Sequence, residues 1–200
     1  MFEQLEFHLK GLVPLIVHNG QMADPTNEIV MRIKDIEKQK KRGENLSPKL
    51  AEEKKKLQFL GSLYLNEKGK PVLPGEGIEA AFRSFARKRK KGKDSEYAIV
   101  CDDDPEIIYD GPKDPEKMFK EKRFVFTKLV GIQRSRVVAT RCRFPEWELK
   151  FTLNYMPEVF AREQVIDLME IGGKYVGMFD WRPKYGRFEV LSPRSKTNGN

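Results

Sequence analysis

Leu73-Pro74-Gly75-Glu76-Gly77-Ile78-Glu79-Ala80-Ala81-Phe82-Arg83 leads the chain from an extended segment through a proline-glycine turn into a helix. Ile78, Ala81, Phe82 and Phe85 recur at helical spacing and form one apolar stripe, which predicts a helix from about Ile78 to Lys88. Gly75 and Gly77 stand at its start, where free N–H groups of the first turn can receive a phosphate. The charge of Glu76 opposes that use, and the plain alternative is a compact strand-to-helix turn.

Upstream, Leu5, Phe7 and Leu9 alternate and an apolar run follows to Val17, so the chain opens with a strand bent at Gly11 and Pro14. Asp24-Pro25 and Ser47-Pro48 each begin a helix, because Asp or Ser caps free N–H groups and proline suits the first turn. Ile29, Ile33 and Ile36 line the first helix sparsely, and Leu50, Leu57 and Leu60 the second. Residues 24–60 therefore read as a charged helical insertion with little interest in the core. Short extended pieces are expected at 63–65 and 72–73.

Downstream, strands at 96–100 and 106–109 flank the acidic turn Asp102-Asp103-Asp104-Pro105, and others are expected at 123–130, 135–144 and 147–155. Pro145-Glu146 would turn the last two into a hairpin. A helix burying Val165, Ile166, Leu168 and Met169 stops at Gly172-Gly173, a closing strand runs from Arg187 to Leu191, and 192–200 form a loose tail. Without the insertions the order is β-α-β-β-α-β. The expected fold class is thus α+β, a single ferredoxin-like or RNA-recognition-like domain over residues 1–191, with another α+β sandwich as the competitor.

The 200 residues carry a formal charge of +8, a balance that favours a polyanion as partner. No apolar run approaches the roughly 18 residues of a membrane span. Cys101 and Cys142 have no metal-ligand spacing, which suits a reducing, cytoplasmic setting. His8 and His18 form no catalytic or metal motif, and no phosphate loop or nucleophile elbow exists. Binding without catalysis, cofactor or metal is the expectation.

Three groups of residues can meet a nucleic acid. The densest is Arg83, Arg87, Lys88, Arg89, Lys90, Lys91 and Lys93, suited to phosphate contact and counterion release, or else a solvated helix end. Arg134, Arg136, Arg141 and Arg143 form the second. On a strand, Arg141 and Arg143 share a face about 7 Å apart, with Val138, Thr140 and Cys142 on the other. Third, Tyr175, Phe179, Trp181, Tyr185 and Phe188 interleave with Lys174, Arg182, Lys184 and Arg187, a mixture that stacks bases while holding the backbone. Phe188 reads as core, while Trp181 and Tyr185 stay open.

Residues 72–83, together with the late stretch Gly177-Met178-Phe179-Asp180-Trp181-Arg182-Pro183 and Gly186-Arg187-Phe188-Glu189-Val190, resemble the repeat-associated mysterious protein superfamily. The chain is similar in layout to backbone subunits of CRISPR effector complexes, and to small solitary members in phage and prophage genomes. That resemblance implies a guide-RNA-binding palm, many copies along the strand, and approach of Gly75 and Gly77 to RNA backbone. It further implies that 24–60 is an insertion and that 131–147 contains a protruding hairpin. The chain is shorter than such subunits and has Glu76-Gly77 where the family often has small or hydroxyl residues and then Lys. Single-stranded RNA or DNA is the expected partner. The alternative is a protein module that docks on, or interferes with, an effector complex.

Overall fold

The computed structural model describes residues 1–40, 44–132 and 135–193. It is an α+β structure built on two antiparallel sheets. The first has four strands in the order β3 (Ile99–Val100), β6 (Glu148–Tyr155), β1 (Glu3–Gly11), β7 (Phe188–Ser192). Alternation along β1 and β6 sends Leu5, Phe7 and Leu9, with Leu149, Phe151, Leu153 and Tyr155, into the core. Two helices complete that core: α3 (Gly75–Ala86) with Ile78, Phe82 and Phe85, and α6 (Arg162–Ile171) with Val165, Ile166 and Met169. Phe85 meets Phe188 at 6.1 Å between ring centres, fastening α3 to β7.

The second sheet has the order β2 (Leu15–Val17), β5 (Ser135–Phe144), β4 (Val125–Ile132). It is continuous with the first through two corners, because β1 pairs with β6 while β2 pairs with β5. Both strands bend at the same place. Trp147 fills that corner, donates its indole N–H to the Val13 carbonyl at 3.0 Å, and lies where any side chain on residue 11 would go. Pro145-Glu146 is therefore a passage between sheets and not the expected hairpin turn. Proline has no N–H for a ladder, which suits it to a corner. The hairpin is β4–β5, paired from Val125–Cys142 to Ile132–Ser135, and residues 133–134 lie outside the described residues. It begins earlier than 131.

The helical insertion is α1 (Glu28–Lys38) and α2 (Pro48–Ser62), begun by side-chain caps from Asn27 and Ser47. Val30, Ile33 and Ile36 are buried on α1, and ion pairs Arg32–Glu53 (2.6 Å) and Lys54–Glu37 (2.7 Å) cross between the helices. The end of α2 goes deeper than its sparse apolar face suggests. Phe59 is fully buried in the main core, and Ser62 Oγ accepts the Cys142 N–H at 2.8 Å. Gln58 Oε1 likewise accepts the Thr140 N–H at 3.1 Å, so α2 side chains continue the ladder beyond the short β2.

Other expected strands are shorter than read. Residues 63–65, 72–73 and 106–109 make only isolated bridges, and 96–98 belong to the helical turn α4 (Ser95–Ala98) before β3. A short helix, α5 (Pro115–Lys120), precedes β4. The core helix ends at Ala86 and continues as a 3-10 turn, Arg87–Arg89. Gly172-Gly173 does not stop α6 outright, since a π-turn runs on over Gly172–Val176. Among the described residues no helix is long and apolar enough to cross a membrane.

Candidate nucleic-acid interface

One face of β5 packs on α2 through Thr140 and Cys142, and the other face of the β4–β5 hairpin collects aromatic rings and cations. The register pairs Phe126 with Arg141 and Lys128 with Ala139, so Phe126, Lys128, Arg141 and Arg143 share that outer face. Over it lies the loop from Gly177 to Gly186. Two backbone bonds tie the loop to the sheet, Asp180 N–H to the Ile16 carbonyl in β2 (3.0 Å) and Gly186 N–H to the Pro14 carbonyl just before it (2.9 Å), and Met178 N–H to the Gly186 carbonyl (2.9 Å) closes the loop on itself. Gly186 has φ +71°, and a side chain there would strike the Met178 carbonyl.

This loop holds Trp181 in the left-handed region, φ 53°, a conformation that costs a residue with a side chain about 1–2 kcal/mol. The indole meets Phe126 at 5.0 Å and 60° between rings, and Phe126 meets Tyr185 at 5.4 Å and 67°, both edge-to-face. Lys128 Nζ lies 5.5 Å and the Arg141 guanidinium 5.8 Å from the centre of the Trp181 ring. Arg143 lies 6.0 Å from Phe126, and Lys184 5.9 Å from Tyr185. Trp181, Phe126 and Tyr185 are each half-buried, so every ring keeps an accessible part.

Asp180 organises the centre. Its Oδ2 lies 3.3 Å from Arg141 Nε, and its Oδ1 accepts the Trp181 N–H at 3.1 Å. Arg141 is thus only 17% exposed, partly neutralised in the unliganded protein. His18 stands beside this pair. Burial, then the positive charge of Arg141, holds its imidazole below the ordinary range, while Asp180 pulls the other way. The Tyr64 hydroxyl donates to the His18 carbonyl at 3.0 Å, and Tyr64 packs against Phe179.

The residues singled out from the sequence divide between this face and the helix layer. Arg141, Arg143, Trp181 and Arg182 come together, with Arg182 Nη1 3.5 Å from Ser84 Oγ on α3. Gly77 adjoins the site without an N–H for a ligand. Its N–H goes to Pro74, and the Phe179 ring lies 2.9 Å from where a side chain would begin. Gly75 differs from the expectation of a free N–H: its N–H is taken by Asp104 Oδ1 at 2.8 Å, so the exposed acidic turn reaches the α3 N-terminus. A carboxylate at the positive end of the helix dipole opposes a phosphate there.

The basic stretch is partly spoken for. Arg83 Nε sits 3.5 Å from Glu96, in a geometry that makes no hydrogen bond, and Arg89 pairs with Asp167 at 3.5 Å. Lys91 donates to the Val159 carbonyl at 3.1 Å and lies over Phe160. Arg87, Lys88, Lys90 and Lys93 are exposed and have no ion-pair partner among the described residues. Arg134 lies outside the described residues, and Arg136 is described only as backbone in β5.

Phe126 and Lys128 were missed in the sequence, since their place depends on the β4–β5 register. The open face of the four-stranded sheet is a different surface. Glu6, His8, Lys10, Glu148, Lys150 and Thr152 mix both signs there, and the one ring among them, the His8 imidazole, pairs with Glu148 at 2.7 Å. No group of His, Cys, Asp and Glu among the described residues is arranged to hold a metal ion. No family model matches the sequence, and no curated protein matches it.

Proposed function

We propose that the chain binds single-stranded nucleic acid, RNA foremost, on the outer face of the β4–β5 hairpin and without reading base sequence. The observation that carries this reading is the convergence of Phe126, Trp181 and Tyr185 with Lys128, Arg141, Arg143 and Lys184 on one surface outside the core. Rings offer a π-face to any base, and guanidinium and ammonium groups hold phosphates without regard to base identity. Arg141 and Arg143 add paired donation to phosphate, which lysine does not reproduce.

The strand order β7-β1-β6-β3, with α3 and α6 packed on the sheet, supports reading the core as ferredoxin-like. On that reading α1–α2 and β4–β5 are additions to a common frame. Such an arrangement supports, in turn, a place beside backbone subunits of CRISPR effector complexes, as repeated copies along a strand. The second reading, a protein-docking module, is favoured by one feature. A cleft of about 670 Å³ lies between α1–α2 and β5, lined in part by Leu46, Pro48, Ala51, Val137 and Val138.

Fluorescence anisotropy with labelled homopolymeric RNA and DNA tests the proposal. Stacking on one ring contributes about 1–3 kcal/mol per base, so Trp181→Ala should weaken several unrelated sequences by about 5- to 150-fold. Absence of wild-type binding at low salt, or full binding by the variant, refutes it.

A further inference from the structure

We infer that the bound strand does not end on the hairpin but crosses the 181–185 loop and runs along the exposed ridge of α3 to Arg87 and Lys88. This rests on the hairpin reading and adds a path and a minimum ligand length to it. Arg182 forms the bridge. It follows Trp181 directly, is exposed, and reaches Ser84 Oγ on α3 at 3.5 Å. Ser84, Arg87 and Lys88 stand three and four residues apart, so they lie on one helical face as neighbours. The C-terminal end of that ridge is where the cations without partners gather.

Charge along this line has one sign. Lys184, Arg182, Arg87 and Lys88 are all exposed, and two carboxylates of the helix layer are engaged, Glu96 with Arg83 and Asp167 with Arg89. Glu76, at the opposite end of α3, is one helix length away. The helix also has an aromatic neighbour. The π-turn after α6 packs on α3, since Gly172 abuts the Phe85 ring, and it exposes Tyr175 at 59% with Lys174 Nζ 5.2 Å over its ring. The pairing of a ring and a cation seen on the hairpin thus recurs beside the helix.

Ser84 to Lys88 spans about 7 Å, at about 1.5 Å per residue to Ala86 and about 2 Å per residue in the 3-10 turn, so reaching it from Arg182 requires about two or three further nucleotides. A strand of about 4 nucleotides would be satisfied by the hairpin, and one of about 12 would engage both parts. The partner is therefore a single strand longer than the stacking site, and affinity should rise with length until the ridge is filled.

The test is the affinity of full-length protein for oligo-uridylate of about 4 and about 12 nucleotides, for wild type, Arg87→Ala/Lys88→Ala, Tyr175→Ala and Trp181→Ala. All four positions have exposed or half-exposed side chains, and circular dichroism checks their folding. The ridge variants are expected to bind the short oligomer within twofold of wild type and the long one about tenfold more weakly. The double variant should also lose about 0.7 per phosphate contact from the log–log salt slope. Equal affinity of wild type for both lengths, or equal effects of the ridge variants on both, overturns the path. Trp181→Ala distinguishes that from failure of the hairpin reading: it should weaken both lengths, and only its having no effect would count against the hairpin itself.

Discussion

Replacing Asp180 by Asn removes one negative charge from the centre of the hairpin face while keeping the side-chain oxygen that accepts the Trp181 N–H. The loop should keep its shape. What changes is Arg141, whose Nε lies 3.3 Å from the Asp180 carboxylate. At an effective dielectric constant of 20 the bare attraction at that distance is about 5 kcal/mol, an upper bound. Desolvation and the partial exposure of both groups, 17% and 29%, reduce the net worth of the pair to about 1 kcal/mol. A phosphate that docks on Arg141 must compete with this carboxylate and suffers its repulsion. Asp180→Asn should therefore bind single-stranded RNA about fivefold more tightly at low salt. The salt slope should steepen by about 0.7, one further phosphate contact. The same change should lower the melting temperature by about 2–4 °C, since the unliganded protein loses the pair. Anisotropy titrations across a salt series and a thermal melt measure all three. Weaker binding, or an unchanged slope with the expected loss of stability, would show that Arg141 serves the fold and not the strand.

Asp104→Ala removes the acceptor for the Gly75 N–H, a cap held from outside the helix. The expected cost is about 1 kcal/mol, or about 2–4 °C in melting temperature, without change in nucleic-acid affinity. Both cysteines should resist iodoacetamide at pH 8 in the folded protein and react once it is denatured. Burial first, offset in part by a hydrogen bond with the Asp103 backbone and reinforced by the charges of Asp103, Glu79 and Asp102, pushes the Cys101 thiol up to about 12, and burial raises Cys142. Between the ordinary value of 9.0 and about 12 the unfolded chain has lost the Cys101 proton that the folded one keeps. Stability from this group is therefore complete below pH 9 and falls as pH rises towards 12, which denaturant titrations at stepped pH would follow.

Much of the fold was legible because local patterns and burial agreed. The alternation of Leu5, Phe7 and Leu9, the stripe Ile78-Ala81-Phe82-Phe85 and the closing Phe188 all lie where their periodicity puts them. So do the faces of β5, with Thr140 and Cys142 inside and Arg141 and Arg143 outside. Polar satisfaction was not legible. Asp104 at Gly75, Ser62 at Cys142 and Gln58 at Thr140 join residues 29, 80 and 82 positions apart, and nothing local marks such partners.

What the sequence determined by itself was the supply of parts: positive charge in excess, rings interleaved with cations in 175–188, and the mixed strands and helices of an α+β chain. Composition and short-range periodicity depend on neighbours a few residues away, so they survive without coordinates. Only the tertiary structure decided which parts meet. Trp181 and Phe126 stand 55 positions apart, and their contact follows from three long-range events. These are the β4–β5 register, the bend at the Trp147 corner, and the bonds from Asp180 to Ile16 in β2 and from Gly186 to Pro14 just before it. Each is set by what closes the core best, and no pattern within a short window encodes that choice.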